Sequence, residues 1–583
     1  MRKNLLQHWP LYASLLILFL LCWLLLATSF YQNQGHLVYA LDDAYIHMAM
    51  ARNFSQHGVW GVTRYGFTSS SSSLLWTSLL SATYYLLGVS QVAPLVWNLL
   101  FASLVLGVAY AILTWYKLPA WLKLAPLLAM IFLIPLPALI LSGLEQDLQT
   151  VLALLVTFLA ARAVSGEAPN GAARDRTLLL VLAPLVTAVR FEGMFLILAV
   201  GVFLVLRRRW FYALAFETCG FLPVVIYGLI STAHGWFWFP SSVLLKGVTP
   251  NLSSLSGLFL SLVLNAFVNL HVGVHVFVLL IAVLLFYALA AGKGRGVFDS
   301  WQVMGGILVL TALAHAEFVQ VGPLFRYDAY LFALGVVFLT AQIPILVPDL
   351  PIQISLRGER ARLEVVTSGA DLKDAATPRA DPSLRSGQAL KVGATPSPSG
   401  GRVLQYVAAS ALAFLLFFFL AVKGIRLLWF LPQCTNNIFE QQHQMGYFVL
   451  QYYQGSTVAL NDVGAVNFLA DIHCLDLWGL ANRDITSLKR RHNYHTRDIA
   501  ILSKKAGARI AIVYDSWYGE MGGLPRQWVR AGQWRVQDNV ILGGDTVSFY
   551  ALEPAEVPHL IQCLREFSER LPRDVIQSGS YLQ

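Results

Sequence analysis

Charged residues are scarce in this chain of 583 residues. Asp, Glu, Lys and Arg make up only 13% of it, whereas 57% is hydrophobic. Soluble domains contain about 25% charged residues, so the composition excludes an ordinary soluble protein and predicts one that crosses a membrane several times. The net charge of +9 does not indicate a nucleic-acid partner, because Lys and Arg cluster on the cytoplasmic side of membrane proteins.

Cysteine is also rare, with five residues in the whole chain. Such a low number does not suggest a disulfide framework. Cys22 and Cys219 lie in apolar segments, where we expect inert thiols. Cys434, Cys474 and Cys563 lie in the polar C-terminal part and could include one bridge if that part is extracytoplasmic.

Long apolar runs, in contrast, are abundant. Basic residues separate these apolar runs, beginning with Arg2 and Lys3 before the first run. We expect the basic residues to lie on the cytoplasmic side of the membrane. The protein is therefore predicted to lie in an inner or plasma membrane with a cytoplasmic N-terminus. An odd number of spans puts the C-terminus on the extracytoplasmic side. We predict about eleven spans of roughly bilayer length, at residues 11–30, 91–114, 120–141, 148–164, 177–190, 192–207, 211–232, 260–290, 302–320, 328–347 and 404–423.

Three segments depart from this pattern. Residues 72–88 are apolar but short for a span, so we predict a helix along the outer surface. Residues 348–403 are rich in Ser, Ala, Pro and Gly and are predicted to form a disordered cytoplasmic loop. Residues 431–583 contain β-branched runs such as ARIAIVYD and DTVSFYALEP. The predicted fold is therefore a membrane core (1–347), a loop, a last transmembrane helix (404–430) and an extracytoplasmic α/β domain (431–583).

Ionisable residues gather in the predicted outer loops, where they are costly and usually functional. If a helix begins at Asp43, then Ile46, Met50 and Phe54 follow at helical spacing and face the membrane, while Asp42 lies on the opposite face. The short motifs that carry the ionisable residues are DDAYIHMAMARN (Asp42, Asp43), SGLEQD (Glu145), RFEG (Arg190, Glu192), FPSSVLLKG (Lys246) and RYDAY (Arg326, Tyr327).

The order of these motifs carries a family resemblance. DDAYIHMAMARN followed by GFTSSSSSLLW resembles the first loop of the GT-C glycosyltransferases, and SGLEQDLQ is similar to their second-loop acidic motif. RFEG resembles an R-P-E-G turn with Phe191 in place of proline. FPSSVLLKG resembles a P-N-T-x-x-x-K segment with Ser241 and Ser242 in place of asparagine and threonine. NDVGAVNFLADIHCLDLWGL is similar to a stretch in the outer domain of certain bacterial members. The group includes mycobacterial terminal arabinofuranosyltransferases, aminoarabinose transferases and protein O-mannosyltransferases.

The resemblance implies an inverting enzyme that transfers a sugar from a polyprenyl-phosphate donor to a glycan, lipid or protein acceptor. Either Asp42 or Asp43 is then the base, because glycosyl transfer needs a group that takes the acceptor proton. Glu145 is a second acid, or holds an acceptor hydroxyl or a metal ion. The cations suit the donor phosphate and are Arg190, Lys246 and Arg326. The remaining predicted substrate contacts are Tyr45, Arg52, Glu192, Trp236, Tyr327, Asp462 and Asp476.

Other interpretations remain open at this stage. The Asp pair could simply cap a helix, and Trp236 could belong to an interfacial aromatic belt. Asp43 and His47, four residues apart, could bind a divalent cation such as Mg or Mn. A lipid or sugar transporter of the envelope is the alternative function, and a catalytically dead relative that binds glycolipid is a third.

Overall fold

The protein consists of a helical membrane core and a C-terminal α/β domain. The computed structural model describes residues 2–166, 172–247, 274–291, 298–319, 326–346 and 400–583, together with residues 254, 256, 257 and 324. The predicted cytoplasmic loop, apart from its last four residues, and the first part of the predicted span at 260–290 lie outside the described residues.

Apolar helices make up the membrane core. In chain order they are α1 (Arg2–Gln32), α2 (Asp43–His57), α3 (Leu74–Leu87), α4 (Ala93–Trp115), α5 (Ala120–Phe132), α6 (Leu136–Ser142), α7 (Gln146–Ser165), α8 (Ala172–Val189), α9 (Gly193–Leu206), α10 (Trp210–Ala233), α11 (Ser241–Lys246), α12 (Val274–Ala291), α13 (Ser300–Phe318), α14 (Ala329–Leu346) and α15 (Gly400–Ile438).

The described helices agree with the predicted spans. Each predicted segment overlaps a helix, with α5 and α6 together filling one of them. Among the residues that the structure describes, six segments are long and apolar enough to cross a membrane, and four shorter apolar helices accompany them. The predicted class, a polytopic helical membrane protein with an α/β domain, is confirmed. The side of the membrane on which each end lies stays a prediction.

Helix α3 is the short apolar segment that we predicted to lie along the surface. Ser73 Oγ accepts a hydrogen bond of 3.1 Å from the backbone N–H of Trp76 and so caps its first turn. With 14 residues and a rise of 1.5 Å per residue, the helix is much shorter than the hydrocarbon layer. Trp76 and Leu80 are fully buried, whereas Tyr85 is exposed. The position of α3 along the outer membrane surface stays a prediction.

The C-terminal domain is built on one six-stranded sheet in the order β2-β1-β3-β5-β4-β6. Strand β1 pairs in parallel with β2 and β3, and the other pairings are antiparallel. The strands are β1 (Thr457–Leu460), β2 (His473–Asp476), β3 (Ile510–Val513), β4 (Val529–Val536), β5 (Thr546–Ala551) and β6 (Val575–Gly579). The helices are α16 (Gln444–Tyr452), α17 (Ala465–Leu469), α18 (Arg483–Arg490), α19 (Thr496–Ala506) and α20 (Val557–Ser568).

Two sequence predictions need revision. Helix α15 continues beyond residue 430, where we placed the domain boundary, to Ile438, and a π-helical turn then leads into α16. The C-terminal domain is thus joined to the membrane core through helical structure. All five cysteines lie among the described residues and are free, so Cys434, Cys474 and Cys563 do not form the bridge that the sequence allowed.

Helix α2 lies between the two parts of the molecule and is almost completely buried. Tyr45 and Met48 belong to the membrane-core cluster. Ile46 and Met50 instead pack in the core of the C-terminal domain. Our expectation that these two side chains face the membrane was therefore wrong, because the C-terminal domain covers that side of the helix.

Candidate active site

A cavity of about 320 Å³ lies at the junction of α2, the loops of the membrane core and the C-terminal domain. Leu480 of the C-terminal domain lines it, and Ser70 donates a hydrogen bond of 2.9 Å to the carbonyl oxygen of Leu480. The apolar part of the wall includes Met194, Phe195 and Phe318. The charged lining side chains are Asp43, Glu145, Arg190, Glu192, Lys246 and Arg326.

Asp43 is held between two cations. Lys246 Nζ lies 3.0 Å from Asp43 Oδ2, and Arg326 donates a short hydrogen bond to the same oxygen. Burial alone would raise the pKa of Asp43, but the charges of Lys246 and Arg326 overcome this effect and hold the pKa well below its ordinary value. The carboxylate is therefore ionised while both cations contact it.

Arg190 forms a second, more deeply buried ion-pair cluster. Its guanidinium donates to Glu145 Oε1 over 2.6 Å and to Glu192 Oε1 over 2.8 Å. The side chain of Arg190 is 4% exposed and that of Glu145 is 0% exposed, whereas the side chain of Lys246 is 34% exposed. Arg190 is therefore committed to carboxylates, and Lys246 is the more accessible cation.

The ring of Tyr327 connects the two clusters. The guanidinium carbon of Arg190 lies 4.9 Å from its centroid, and that of Arg326 lies 4.8 Å away. Such cation–π contacts are favourable at this distance. The same aromatic ring thus stabilises both guanidinium groups.

His47 lies between the two carboxylate centres. Its Nδ1 is 2.8 Å from Thr77 Oγ1, and its Nε2 is 3.8 Å from Glu145 Oε2. Burial lowers the pKa of the imidazole despite the opposing charges of Glu145 and Asp43, so the ring is neutral at neutral pH and does not form an ion pair.

The predicted cation site at Asp43 and His47 remains untested. Among the described residues, no group of three or more His, Cys, Asp or Glu side chains is arranged to hold a metal ion. Lys246 and Arg326 contact the Asp43 carboxylate that a cation would need. A requirement for Mg or Mn stays a prediction from the sequence.

Asp42 does not line the cavity, although it adjoins Asp43. It stands at the N-cap position of α2, but its side chain makes no capping hydrogen bond there. The carboxylate accepts hydrogen bonds from the backbone N–H groups of Gly464 (2.8 Å) and Ala465 (2.7 Å) instead. The helix-cap interpretation thus does not describe this side chain, which contacts the C-terminal domain.

Three other predicted substrate contacts also lie outside the cavity lining. Tyr45 is fully buried, and its hydroxyl accepts a hydrogen bond of 3.0 Å from the backbone N–H of Tyr39. Arg52 donates to the carbonyl oxygens of Phe468 and Asn467. Trp236 is half-buried, 6.4 Å from the ring of Phe67. The first two side chains fix α2 in place.

Asp462 and Asp476, predicted to contact the acceptor, lie in the C-terminal domain and do not line the cavity either. Asp462 accepts hydrogen bonds from Tyr514 (2.7 Å) and Gln442 (3.0 Å), and burial raises its pKa.

The Asp476 carboxylate closes a turn after β2. It accepts hydrogen bonds from the backbone N–H groups of Trp478 (2.7 Å), Gly479 (2.9 Å) and Ala481 (2.6 Å). Burial raises the pKa of Asp476 to about 6, although these donors oppose the rise. These contacts describe a side chain that stabilises a turn.

Sequence reasoning missed the uncharged part of the cavity. Phe195 and Phe318 stack with their centroids 5.7 Å apart. The hydroxyl of Ser242 is buried without a hydrogen-bond partner among the described residues. Phenylalanine is common in every membrane helix, so only the three-dimensional arrangement distinguishes these rings. Ser242 stood in a motif that we identified, but nothing in the sequence marked its hydroxyl as a lining group.

A buried polar cluster away from the cavity was also missed. His275 Nε2 lies 2.5 Å from Asp328 Oδ2 and 3.2 Å from Lys423 Nζ. These residues come from three distant parts of the chain. No local sequence pattern could therefore have brought them together.

The comparisons with known proteins add limited information. Residues 436–550 match the model of a family described as a domain of unknown function (DUF8728). No protein with a curated description matches the chain. Among solved structures, the chain is similar to ArnT from Cupriavidus metallidurans bound to undecaprenyl phosphate, with 13% identity and a TM-score of 0.49 over 92% of this chain and 98% of that chain. A similarity of this degree does not establish the function.

The first prediction concerns the buried cluster around Arg190. Replacing Arg190 by Met removes the partner of Glu145, whose side chain is 0% exposed, and breaking a buried ion pair in this way costs about 3–5 kcal/mol. We expect a clear drop in the thermal melting midpoint of the detergent-purified protein. Arg64→Met is the matched control, because Arg64 pairs with Asp471 at the surface and such pairs contribute little. Equal midpoints for the two variants would contradict the assignment.

Proposed function

We propose that the protein is a membrane glycosyltransferase that uses a polyprenyl-phosphate sugar, with Asp43 as the base. The observation that carries the proposal is the contact of Asp43 with Lys246 and Arg326 at the wall of the cavity. The site combines a carboxylate, accessible cations and an apolar wall. The donor's phosphate matches the cations and its isoprenoid chain matches the apolar wall, while the carboxylate can take the proton of the acceptor hydroxyl.

The structure favours Asp43 over Asp42 for the role of base. Asp43 lines the cavity, while both carboxylate oxygens of Asp42 accept hydrogen bonds from the C-terminal domain. A base must reach the proton that it removes. This requirement supports Asp43 as the base, whereas nothing in the sequence alone favoured Asp43 or Asp42.

A donor phosphate changes the environment of Asp43. Lys246 and Arg326 are the cations best placed to bind it, since Arg190 is committed to Glu145 and Glu192. When phosphate oxygens take up the donors of Lys246 and Arg326, the charges that depress the pKa of Asp43 are shared with the phosphate. The effect of burial then prevails, and Asp43 becomes a stronger base.

The chemical step follows from this arrangement. Asp43 takes the proton from the acceptor hydroxyl, whose oxygen forms a bond to the anomeric carbon. The bond between that carbon and the phosphate oxygen breaks, and its electron pair stays on the leaving lipid phosphate. Lys246 and Arg326 stabilise the negative charge that develops there. Attack from the face opposite the leaving group inverts the anomeric centre.

The apolar wall gives the lipid a place in the site. Met194 and Phe195 belong to α9, and Phe318 ends α13. Isoprenoid chains gain free energy from the burial of their apolar surface. The wall therefore suits the first isoprene units of the donor.

The second prediction tests the base directly. Purified protein in nanodiscs is supplied with a panel of polyprenyl-phosphate sugars, and release of polyprenyl phosphate is followed. Asp43→Asn should lower kcat about 100- to 10,000-fold, the range that general bases contribute, while donor binding persists. Asp484→Asn, an exposed residue of α18, is the control.

The same assay separates the alternatives. Normal turnover by Asp43→Asn would show that Asp43 is not the base. Movement of the lipid-linked sugar between leaflets without release of polyprenyl phosphate would support a transporter. Binding of the donor with neither reaction would point to a catalytically dead glycolipid-binding relative.

The third prediction uses the pH dependence of kcat/KM, which reports groups of the free enzyme. In the wild type, the acidic limb that belongs to Asp43 should lie below the ordinary pKa of about 3.9. Lys246→Met removes one of the two charges that lower this pKa, so the limb should move to higher pH. Lys504→Met removes an equally positive but exposed charge from α19 and should leave the limb in place. An unmoved limb in Lys246→Met would contradict the proposal.

A further inference from the structure

The first outer loop and the C-terminal domain meet in a pair of hydrogen bonds at Asp42. Asp42 Oδ2 accepts from the backbone N–H of Gly464 over 2.8 Å, and Oδ1 accepts from that of Ala465 over 2.7 Å. Both oxygens thus bind the chain just where α17 begins. Burial and the charge of Asp462 raise the pKa of Asp42 to about 8, although these two backbone donors oppose the rise. The contact itself is geometric, since both carboxyl oxygens lie within hydrogen-bond distance of the two N–H groups.

The residue at position 464 permits this approach only because it is glycine. A Cβ atom there would lie 2.1 Å from the carbonyl oxygen of Asp42 and 2.6 Å from its carboxylate. The φ angle of Gly464 is −79°, which other residues adopt readily. The requirement is therefore one of space between the two parts of the molecule.

A second contact holds α2 near its other end. Arg52 donates to the carbonyl oxygen of Phe468 over 2.7 Å and to that of Asn467 over 3.0 Å. Ten residues separate Asp42 from Arg52, about 15 Å along a helix. Helix α2 is thereby attached to α17 at two points, and we call this pair of contacts the α2 clasp.

The α2 clasp acts on the site through Asp43. Asp43 directly follows Asp42 in the chain and is the first residue of α2. Its partners Lys246 and Arg326 belong to the membrane core, whereas Gly464 and Ala465 belong to the C-terminal domain. The position of the Asp43 carboxylate relative to these cations therefore depends on where the C-terminal domain holds Asp42.

We propose that Asp42 is a positioning residue and that the C-terminal domain, through Gly464 and Ala465, is part of the catalytic apparatus. The clasp fixes the start of α2 so that Asp43 reaches the acceptor hydroxyl. This inference rests on the proposed function and extends it to a region that lies outside the cavity. It also assigns a task to residues within the matched domain of unknown function.

The test compares variants that disturb the clasp in different ways. Asp42→Ala removes both acceptors, Asp42→Asn leaves one amide oxygen, and Gly464→Ala blocks the approach without altering any charge. Gly519→Ala is the control, because a Cβ there meets nothing within 4 Å. Asp42→Asn and Gly464→Ala keep the test valid if Asp42→Ala does not fold.

Sugar transfer, binding of a polyprenyl phosphate, hydrogen exchange and the thermal melting midpoint are measured on each purified variant. In the sugar-transfer assay, Gly464→Ala and Asp42→Ala should lower kcat about 100-fold, the loss expected for a displacement near 1 Å. Asp42→Asn should be intermediate, and binding of a polyprenyl phosphate should be unchanged. Hydrogen exchange of the backbone amides of α2 should be faster in the clasp variants and unchanged in Gly519→Ala.

Each contrary result has a distinct meaning. If Asp42→Asn is as inactive as Asp43→Asn while Gly464→Ala remains active, Asp42 is the base and the inference is overturned. A lower melting midpoint with normal kcat, or unaltered exchange in α2, would overturn it as well. If the wild type transfers no sugar, the proposed function fails, while the exchange measurement still decides whether the clasp holds α2.

Discussion

In the proposed mechanism, the contact of Asp43 with Lys246 and Arg326 is the interaction on which function depends. A carboxylate at the edge of a membrane is poorly solvated, and burial alone makes it resist ionisation. The two cations reverse this tendency and keep Asp43 ionised in the absence of substrate. In the proposed mechanism, the donor phosphate binds the same two cations, so the resting carboxylate and the incoming donor compete for them. Substrate binding and activation of the base are then coupled through one set of charges.

The remaining architecture positions that set. Arg190 is fixed by Glu145 and Glu192 in a region with almost no solvent access, and the ring of Tyr327 contacts the guanidinium groups of both Arg190 and Arg326. The C-terminal domain completes the site by covering α2, which explains why that helix is buried on nearly all sides.

Much of the fold could be predicted because bilayer thickness fixes the length of apolar segments. Every predicted span overlaps a helix, and strands β3 and β5 fall where the β-branched runs ARIAIVYD and DTVSFYALEP indicated them. The sequence pattern did not indicate β2, β4 or β6. The direction in which Ile46 and Met50 point could not be predicted, since an apolar side chain suits a lipid surface and a protein surface equally. The continuation of α15 to Ile438 was missed for a similar reason: the polar residues that suggested a boundary are compatible with a helix that leaves the membrane.

The candidate site shows the same division. The motifs identified the charged lining residues, because ionisable groups stand out in apolar loops. They also suggested Asp42 as a candidate base equal to Asp43, and Asp476 as a contact of the acceptor. In the structure both carboxylates bind backbone N–H groups instead of lining the cavity. The contact of Asp42 depends on residues distant in sequence, and that of Asp476 depends on the geometry of a turn.

The most direct test of the account is a structure of the protein in nanodiscs with a non-transferable phosphonate analogue of a polyprenyl-phosphate sugar. The account predicts that the phosphonate oxygens contact Lys246 Nζ and the guanidinium of Arg326, and that the Asp43 carboxylate has moved away from at least one of these cations toward the sugar. A phosphonate bound elsewhere, with Asp43 still contacting both cations as in the free protein, would contradict it.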